Sequence, residues 1–340
     1  MCAARCRSPR SCARTVVAFL ACLAVLVGAC APTAAAPTAV RAVAPHGAPT
    51  VAWPPTPGTS WQWQLSGTVD LTVDAAVYDV DGFNTDAATV AELHARGRRA
   101  VCYLNAGAFE DFRPDTAAFP VAVLGKELVG WPGERWLDIR RIDALAPIMR
   151  ARLDLCQSKG FDAVEPDNVD GYANASGFSL TAADQLAYDR WFAGETHRRG
   201  MGVALKNDGA QVPDLVDTFD FAVVEQCFDF AECDAYQPFV TAGKAVFAVE
   251  YDLRPEQFCS RANTRNFDAL KKNLRLDASR IACRAYPPVI PAASPAPTPL
   301  APAPVPPCAG RRFLETGYAS TNGSAPTGTR TVAWPATATR

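Results

Sequence analysis

Residues 161–172 read FDAVEPDNVDGY, an apolar run that gives way to a cluster of carboxylates. The opening residues indicate a buried strand, and Glu165, Asp167 and Asp170 then fall within six positions. Carboxylates this close raise one another's pKa and cost stability. Their concentration where a buried strand ends therefore calls for an explanation, which the sequence on either side of the stretch supplies.

Helical patterns flank this stretch on both sides. Residues 144–160 and 182–200 are helical segments that end in Gly just before a strand, as helix C-termini favour, and residues 86–97 repeat the pattern. Alternating strands and helices predict a parallel sheet. The predicted strands are SWQWQL (60–65), AAVYDV (75–80), RAVCYL (99–104), DAVEP (162–166), GVALK (202–206), FAVVE (221–225), AVFAVE (245–250) and RIACRAY (280–286).

Eight such strands predict an α/β fold of the (β/α)8 TIM-barrel type, and residues 58–286 have the size of one such domain. A doubly wound open sheet is the competing architecture. That fold would carry a Gly-rich turn after the first strand, and the sequence has none there. We therefore predict a single-domain barrel over residues 58–286.

The N-terminal segment indicates export. Residues 1–30 join a basic stretch to an apolar run that is short for a membrane span, which is the layout of a secretory signal. The run closes on LVGAC, which resembles a bacterial lipobox and predicts lipidation of Cys30. The alternative is an ordinary signal peptide cut near Ala31–Ala36. Either route predicts a protein outside the cytoplasm, extracellular or held to a membrane by a lipid anchor.

Two segments of biased composition flank the predicted barrel. Residues 31–57 are rich in Ala, Pro and Thr, which predicts a flexible linker. Residues 287–307 contain ten prolines in 21 positions, and the polar residues that follow complete a tail over 287–340 that we predict to be disordered.

The charge of the barrel region restricts its ligands. The whole chain has a formal net charge of −2, but residues 58–286 hold 34 Asp and Glu against 24 Lys and Arg. This acidity argues against nucleic acid and is compatible with a cationic ligand, although acidic residues also serve solubility. With three His and no C-x-x-C pair, a zinc site is poorly supported, and we predict neither metal nor cofactor.

Polar side chains end almost every predicted strand, at the side where barrels of this type place their active sites. Nucleophile triads require a His that this side lacks, whereas two carboxylates on different strands suit glycoside hydrolysis. A metal-dependent hydrolase with oxygen ligands is the second possibility. The strand-end residues include Asp79, Asp81, Tyr103, Asn105, Asp111, Glu165, Asp167, Asn168, Asp170, Tyr172, Lys206, Asn207, Asp208, Glu225, Glu250 and Tyr251.

Some of these residues also have structural explanations. Asp170 and Asp208 could cap a following helix or turn, and the tyrosines could belong to the core. Glu225 ends an apolar strand, where an unpaired carboxylate is costly, and a structural salt bridge to Lys206 is its main alternative role.

Six segments of the chain resemble glycoside hydrolase family 114, the endo-α-1,4-polygalactosaminidases, which have a TIM-barrel fold. The resemblance runs through about residues 60–286, and the combination of DNVDGY, LKND and EQCF is its specific part. The segments are RAVCYLNAGAFEDFRPD (99–115), GERWLDI (133–139), GFDAVEPDNVDGY (160–172), GVALKND (202–208), VVEQCF (223–228) and AVFAVEYD (245–252).

The resemblance implies endo-cleavage of an α-1,4-linked, galactosamine-containing exopolysaccharide, which is cationic where it is deacetylated. It implies a retaining reaction with Asp167 as nucleophile and Glu225 as general acid and base, or with these roles exchanged. Glycosidases of another α-linked polymer and a non-catalytic polysaccharide-binding lipoprotein remain alternatives. The residues expected to line the substrate site are Asp79, Asp81, Tyr103, Asn105, Asp111, Asn168, Asp170, Tyr172, Lys206, Asn207 and Glu250.

Seven cysteines follow the leader, and outside the cytosol they are expected to form disulfides. Cys308 lies in the tail and is expected to remain unpaired. The spacing suggests three pairs, which only geometry can decide: Cys102 with Cys156, Cys227 with Cys233, and Cys259 with Cys283.

Overall fold

The computed structural model describes residues 53–286, which contain twelve strands and six α-helices. The predictions for the leader, Cys30, the tail and Cys308 lie outside these residues. The strands are β1 Trp61–Gln64, β2 Val77–Asp81, β3 Arg99–Asn105, β4 Ala108–Glu110, β5 Leu124–Glu127, β6 Glu134–Leu137, β7 Ala163–Asp167, β8 Gly202–Lys206, β9 Phe221–Glu225, β10 Val246–Glu250, β11 Asp268–Lys271 and β12 Ile281–Ala282. The helices are α1 Ala87–Ala95, α2 Ile142–Lys159, α3 Ala182–His197, α4 Val212–Leu215, α5 Gln237–Thr241 and α6 Pro255–Arg265.

Nine strands form one curled sheet in the order β1-β2-β3-β7-β8-β9-β10-β11-β12. Within this sheet the eight strands β1, β2, β3, β7, β8, β9, β10 and β11 are parallel to their neighbours. Strand β12 is antiparallel to β11. Side chains connect β1 to the far end of the sheet, where the Trp61 indole donates to the Asp268 carbonyl at 2.7 Å. The predicted TIM-barrel fold is confirmed.

Side-chain alternation decides which residues face the barrel interior. Phe221, Phe247 and Trp61 fill its lower part, and the Trp61 and Phe247 rings stack with centroids 4.6 Å apart. Residues at the intervening positions, such as Val164, pack outward against the helices. Every second residue further along each strand therefore points into the mouth, which is the rim formed by the carboxyl ends of the parallel strands.

Local signals define the ends of the long helices. Helix α2 ends at Gly160, whose φ of +89° closes the last turn in the left-handed conformation that glycine favours. Thr181 begins α3 with a reciprocal capping box to Asp184. These signals therefore define where α2 ends and where α3 begins.

The eighth parallel strand differs from the sequence prediction. Segment 280–286 forms only the short antiparallel β12 and a helical turn at Cys283–Ala285, whereas β11 completes the parallel set. Only Ala269 and Leu270 of β11 are apolar, so this strand lacks the apolar run that marks the others.

The N-terminal strap, residues 53–58, lies beneath the barrel at the amino ends of the strands. The Ala245 amide, just before β10, donates to the Pro55 carbonyl at 2.9 Å, and the Gly58 amide donates to Asp268 at 3.0 Å. Residues 53–57, which the composition assigns to the linker, are therefore part of the packed structure.

An antiparallel sheet of order β4-β6-β5 follows β3 and was not predicted. Three disulfides in the described residues join the pairs that the cysteine spacing suggests: Cys102–Cys156, Cys227–Cys233 and Cys259–Cys283. Among the helices of residues 53–286, none has the length and apolar character that a membrane span requires.

Candidate active site

Three neighbouring strands bring the central side chains together at the mouth. Strand β7 ends in Asp167, β8 in Lys206 and β9 in Glu225, and these strands lie side by side in the sheet. Alternation from interior positions such as Ala163 and Val223 turns all three side chains inward. The structure therefore gathers the predicted catalytic pair around one lysine.

The Lys206 ammonium is the centre of this group. Its Nζ lies 2.9 Å from Asp167 Oδ1, 3.0 Å from Glu165 Oε1 and 3.3 Å from Glu225 Oε2. An ammonium has three hydrogens and no acceptor, so it matches three carboxylates. Because both lie so close to one nitrogen, Asp167 Oδ1 and Glu225 Oε2 are at most about 6 Å apart.

The remaining oxygens of the pair are also held. Tyr103 donates its hydroxyl to Asp167 Oδ2 at 2.6 Å, and Tyr251 donates to Glu225 Oε1. The Glu225 amide donates to the side-chain oxygen of Asn207 at 3.0 Å, and the Asn207 amide nitrogen lies 3.5 Å from Glu225 Oε2. Both carboxylates are thus fixed in orientation before any substrate arrives.

Exposure separates the carboxylates of this group. The side chains of Asp167 and Glu225 are 20% and 23% exposed, whereas that of Glu165 is fully buried. Asp79, on β2, is fully buried as well. Within this group, Asp167 and Glu225 are therefore the carboxylates that a substrate in the mouth can reach.

The surroundings keep Asp167 ionised. Burial alone would raise the pKa of Asp167, but the Lys206 charge and the hydrogen bonds from Tyr103 and Lys206 outweigh it and lower this pKa. Burial and the Asp167 charge raise the pKa of Tyr103 well above its usual value, so its hydroxyl remains a donor. This state of Asp167 is the one that a nucleophile needs.

Asp79 and Glu165 are fully buried beside the group formed by Lys206, Asp167 and Glu225. Burial first, and then the negative charge of Glu165, raises the pKa of Asp79 well above its usual value. Burial also raises the pKa of Glu165, but the charge of Lys206 opposes this rise. Burial therefore favours the protonated form more strongly at Asp79 than at Glu165, whose negative charge Lys206 stabilises.

The backbone is constrained directly after each of the three strand ends. The φ values of Asn168, Asn207 and Gln226 are +61°, +51° and +55°. Residues other than glycine rarely adopt this left-handed region. Gly107 packs so closely that a Cβ there would lie 1.7 Å from the Asn168 carbonyl oxygen. Such constraint is typical of functional sites.

Asp170 and Tyr172 lie in the loop after β7, close to the loop after β8. Tyr172 donates to Asp208 at 2.9 Å. Burial is the main cause that raises the pKa of Asp170 to about 6 and that of Asp208 to about 7. These loop carboxyls therefore change charge near neutral pH.

Some of the residues expected at the substrate site have other partners or lie elsewhere. Asp81 forms an ion pair with the buried Arg113 at 2.8 Å, and Asn105 accepts the Ala108 amide at 2.7 Å. Asp111 is exposed on the loop after β4.

Glu250 points away from the barrel interior, because it alternates with the inward-facing Val249. It accepts the Phe228 amide at 2.8 Å and so orders the loop after β9. The structure therefore does not bring Glu250 to the catalytic pair.

The sequence placed Glu165 and Tyr251 among the strand-end residues but not among those expected to line the substrate site, and it did not single out Trp63. The Lys206 Nζ lies 4.8 Å from the centre of the Trp63 ring. Alternation carried the signal: Glu165 is two residues from Asp167, and Tyr251 is two residues from Val249, so each shares an inward face. In residues 53–286 no group of three or more His, Cys, Asp or Glu side chains could hold a metal ion, and the absence of a metal remains a prediction.

Comparisons with known proteins identify the family of this chain. The family model described as glycoside-hydrolase family GH114 matches residues 42–287. The chain belongs to this family. A search of the curated proteins found no match. As a GH114 member the protein is a glycoside hydrolase, as the resemblance predicted.

Two solved structures resemble this GH114 chain. Ega3 of Aspergillus fumigatus, solved in complex with galactosamine, is 39% identical, with a TM-score of 0.66 over 69% of this chain and 98% of the other. The glycoside hydrolase domain of PelA from Pseudomonas aeruginosa is 16% identical, with a TM-score of 0.54 over 66% of this chain and 98% of the other. The second likeness shows the fold.

Proposed function

We propose that this GH114 enzyme cleaves α-1,4-linked, galactosamine-containing exopolysaccharide internally, by a retaining mechanism that uses two carboxylates. The observation that carries the mechanism is that Asp167 and Glu225 both pair with one ammonium, which keeps their near oxygens within about 6 Å of each other. Retaining glycosidases place their carboxyl groups about 5–5.5 Å apart, and inverting enzymes about 6.5–9.5 Å apart.

Two observations support the substrate. The 39%-identical Ega3 was solved with galactosamine, and the barrel region of this chain carries an excess of carboxylates over basic groups. Such an excess of negative charge attracts a polymer that bears ammonium groups.

The proposed roles follow from the surroundings of the two carboxylates. Asp167, ionised beside Lys206, attacks the anomeric carbon of the sugar. Glu225 protonates the leaving oxygen and then takes a proton from the water that releases the sugar from Asp167. Tyr103 and Tyr251 hold the two groups in place during both steps.

We also propose that the enzyme acts outside the cytoplasm, held by a lipid at Cys30. The lipobox-like LVGAC and the three disulfides support this location. In a bacterial host that processes lipoproteins, labelled palmitate is expected in the wild-type chain and absent from Cys30→Ser. Equal labelling of both would contradict the anchor.

The decisive experiment incubates the full chain with partly deacetylated α-1,4-galactosamine polymer and follows product sizes by mass spectrometry and product anomers by NMR. We expect short oligomers of retained configuration from the wild type and none from Asp167→Asn or Glu225→Gln. Asp162→Asn and Asp220→Asn are matched controls, because they remove carboxylates from the opposite ends of the same two strands. A folded wild type that binds the polymer without cutting it would instead indicate a binding protein.

A further inference from the structure

The proposed reaction leaves three buried ionisable groups of the barrel without a role. Asp79, Glu165 and Lys206 are each at most 1% exposed. Buried charges are costly, and a buried ion pair often stabilises a fold no more than apolar residues would. Fold stability alone therefore does not explain why Asp79, Glu165 and Lys206 are buried together.

The groups around Lys206 come from almost every strand of the barrel. Tyr103 of β3, Glu165 and Asp167 of β7 and Glu225 of β9 surround the ammonium, and the Trp63 ring of β1 lies against it. Asp79 of β2 is near enough for the charge of Lys206 to act on its pKa. These neighbours leave the ammonium buried and directed at carboxylates. Lys206 was expected to bind substrate, but the structure gives it no free face toward the mouth.

We propose that Lys206 is a positioning residue for both catalytic carboxylates and that the buried Asp79–Glu165 pair holds its ammonium between them. The inference rests on the function proposed above. Glu165 is buried deeper in the barrel than Asp167 and Glu225, and its Oε1 lies 3.0 Å from Nζ. Its negative charge therefore keeps the ammonium from moving toward only one of the two proposed catalytic carboxylates. Asp79 is fully buried on the neighbouring interior face of β2, and burial raises its pKa well above its usual value, so we assign it a proton and no charge.

This position matters because negative charge moves during the first step. An oxygen of Asp167 forms a bond to the anomeric carbon, the bond from that carbon to the leaving oxygen breaks, and the proton of Glu225 passes to that oxygen. Asp167 thereby loses its charge as Glu225 gains one. An ammonium within 3.3 Å of both carboxylates stabilises either state without moving, as a preorganised site should.

Three variants test the proposal through the pH profile of kcat/KM. Glu165→Gln removes a buried negative charge, which makes the site bind protons less tightly, so both limbs are expected to move down by about one pH unit. Lys206→Met removes a positive charge, so both limbs move up and kcat falls about 100-fold. Asp79→Asn replaces a neutral donor by another neutral donor, so its profile moves far less than that of Glu165→Gln.

A merely structural role predicts something different. All three variants would then lose stability and kcat, but the limbs of their kcat/KM profiles would not move in opposite directions. Equal kcat/KM profiles for Asp79→Asn and Glu165→Gln would overturn the assignment of the proton to Asp79 and the charge to Glu165. If Lys206→Met does not fold, the comparison of Asp79→Asn with Glu165→Gln still decides, because the two variants alter adjacent and equally buried carboxyls.

A second measurement does not depend on turnover. The carboxyl carbon of Asp167, followed by NMR against pH, is expected to titrate at a lower pH in Glu165→Gln and at a higher pH in Lys206→Met than in the wild type. An unmoved midpoint would overturn the role of Lys206 even in an active enzyme. If the Asp167 midpoint shifts in the variants as expected but the wild type cuts no galactosamine polymer, the positioning role stands and the proposed function fails.

Discussion

At the scale of the residue, single hydroxyl groups orient the two carboxylates proposed as catalytic. Tyr103 and Tyr251 each donate to one member of the pair. A hydrogen bond to a charged group contributes about 1.5–3 kcal/mol, so we expect Tyr103→Phe and Tyr251→Phe each to lower kcat about 10- to 100-fold. Steady-state kinetics on the polymer measure this loss.

The matched control is Tyr78→Phe, which removes a hydroxyl from the outer face of β2, where it donates to the Asp70 and Val73 carbonyls. This change is expected to lower thermal stability and leave kcat as it is. Equal kcat values for Tyr251→Phe and Tyr78→Phe would show that the Tyr251 hydroxyl does not position Glu225.

Asp208 makes stability depend on pH. Burial, helped by the charge of Asp170, raises its pKa from 3.8 to about 7, so the folded protein keeps a proton that the unfolded chain releases. Stability from this group is present at low pH and falls as the pH rises from about 4 to about 7. We expect Asp208→Asn to raise the free energy of unfolding more at pH 8 than at pH 5, by on the order of 2 kcal/mol.

Denaturant unfolding at the two pH values measures this difference. The Asn side chain still accepts the Tyr172 hydroxyl and tolerates the φ of +53° at this position, so the shape of the loop is kept. The same gain at both pH values would mean that packing, rather than charge, accounts for the effect.

The sequence identified the inner residues of the site better than their partners. Asp167, Lys206 and Glu225 end apolar strands, so their position at the mouth follows from the pattern. The pairing of Asp81 with Arg113 joins residues 32 positions apart, and no local pattern encodes such a contact. Glu250 was misplaced because strand ends were read without regard to which face each side chain takes.

The close contact between the turns after β3 and β7 is the most sensitive feature at the scale of the element. Gly107 leaves no room for a side chain against the Asn168 carbonyl. Gly107→Ala must push the turn after β7 outward, and with it Asp167. We expect a loss of about 2–4 kcal/mol in unfolding free energy, as for overpacked sites, and a fall in kcat of at least about 10-fold.

Gly194→Ala is the control for this prediction. It lies within α3, where a new Cβ would come no closer than 3.6 Å to a neighbouring atom, so alanine should stabilise the helix by about 0.5–1 kcal/mol. Denaturant unfolding and kcat of both variants decide the matter. A Gly107→Ala enzyme with normal kcat would show that the turn after β7 can move without displacing Asp167.

Apolar runs predicted seven of the eight parallel strands. The exception, β11, has charged residues at both ends, and its place is fixed by pairing with β10 instead of by its own pattern. Strands β4 to β6 were missed for a related reason, since they are only three or four residues long and mix charged with apolar residues, which gives little periodicity.

The disulfides act at the scale of the whole molecule, and their effects should differ with the length of chain they close. Cys102–Cys156 spans 54 positions and Cys227–Cys233 spans six. Chain entropy predicts about 4 kcal/mol of stabilisation from the first and about 2 kcal/mol from the second. We therefore expect Cys102→Ser/Cys156→Ser to lower the unfolding free energy more than Cys227→Ser/Cys233→Ser.

Catalysis should rank these two double variants in the opposite order. The short loop begins two residues after Glu225, and the Phe228 amide within it is held by Glu250. Opening this loop is expected to lower kcat, whereas opening the long one is not. Unfolding curves and kinetics on the same samples measure both effects, and matching kcat losses would remove the distinction.

The N-terminal strap determines how the enzyme can be mounted on a support. Residue 53 lies at the amino ends of the strands, on the side of the barrel opposite the mouth. Anything joined ahead of this residue, whether an affinity tag, a bead or a lipid bilayer, starts from the rear of the enzyme. Residue 53 is therefore a point at which the chain can be joined to a support from the face of the barrel that does not carry Asp167 and Glu225.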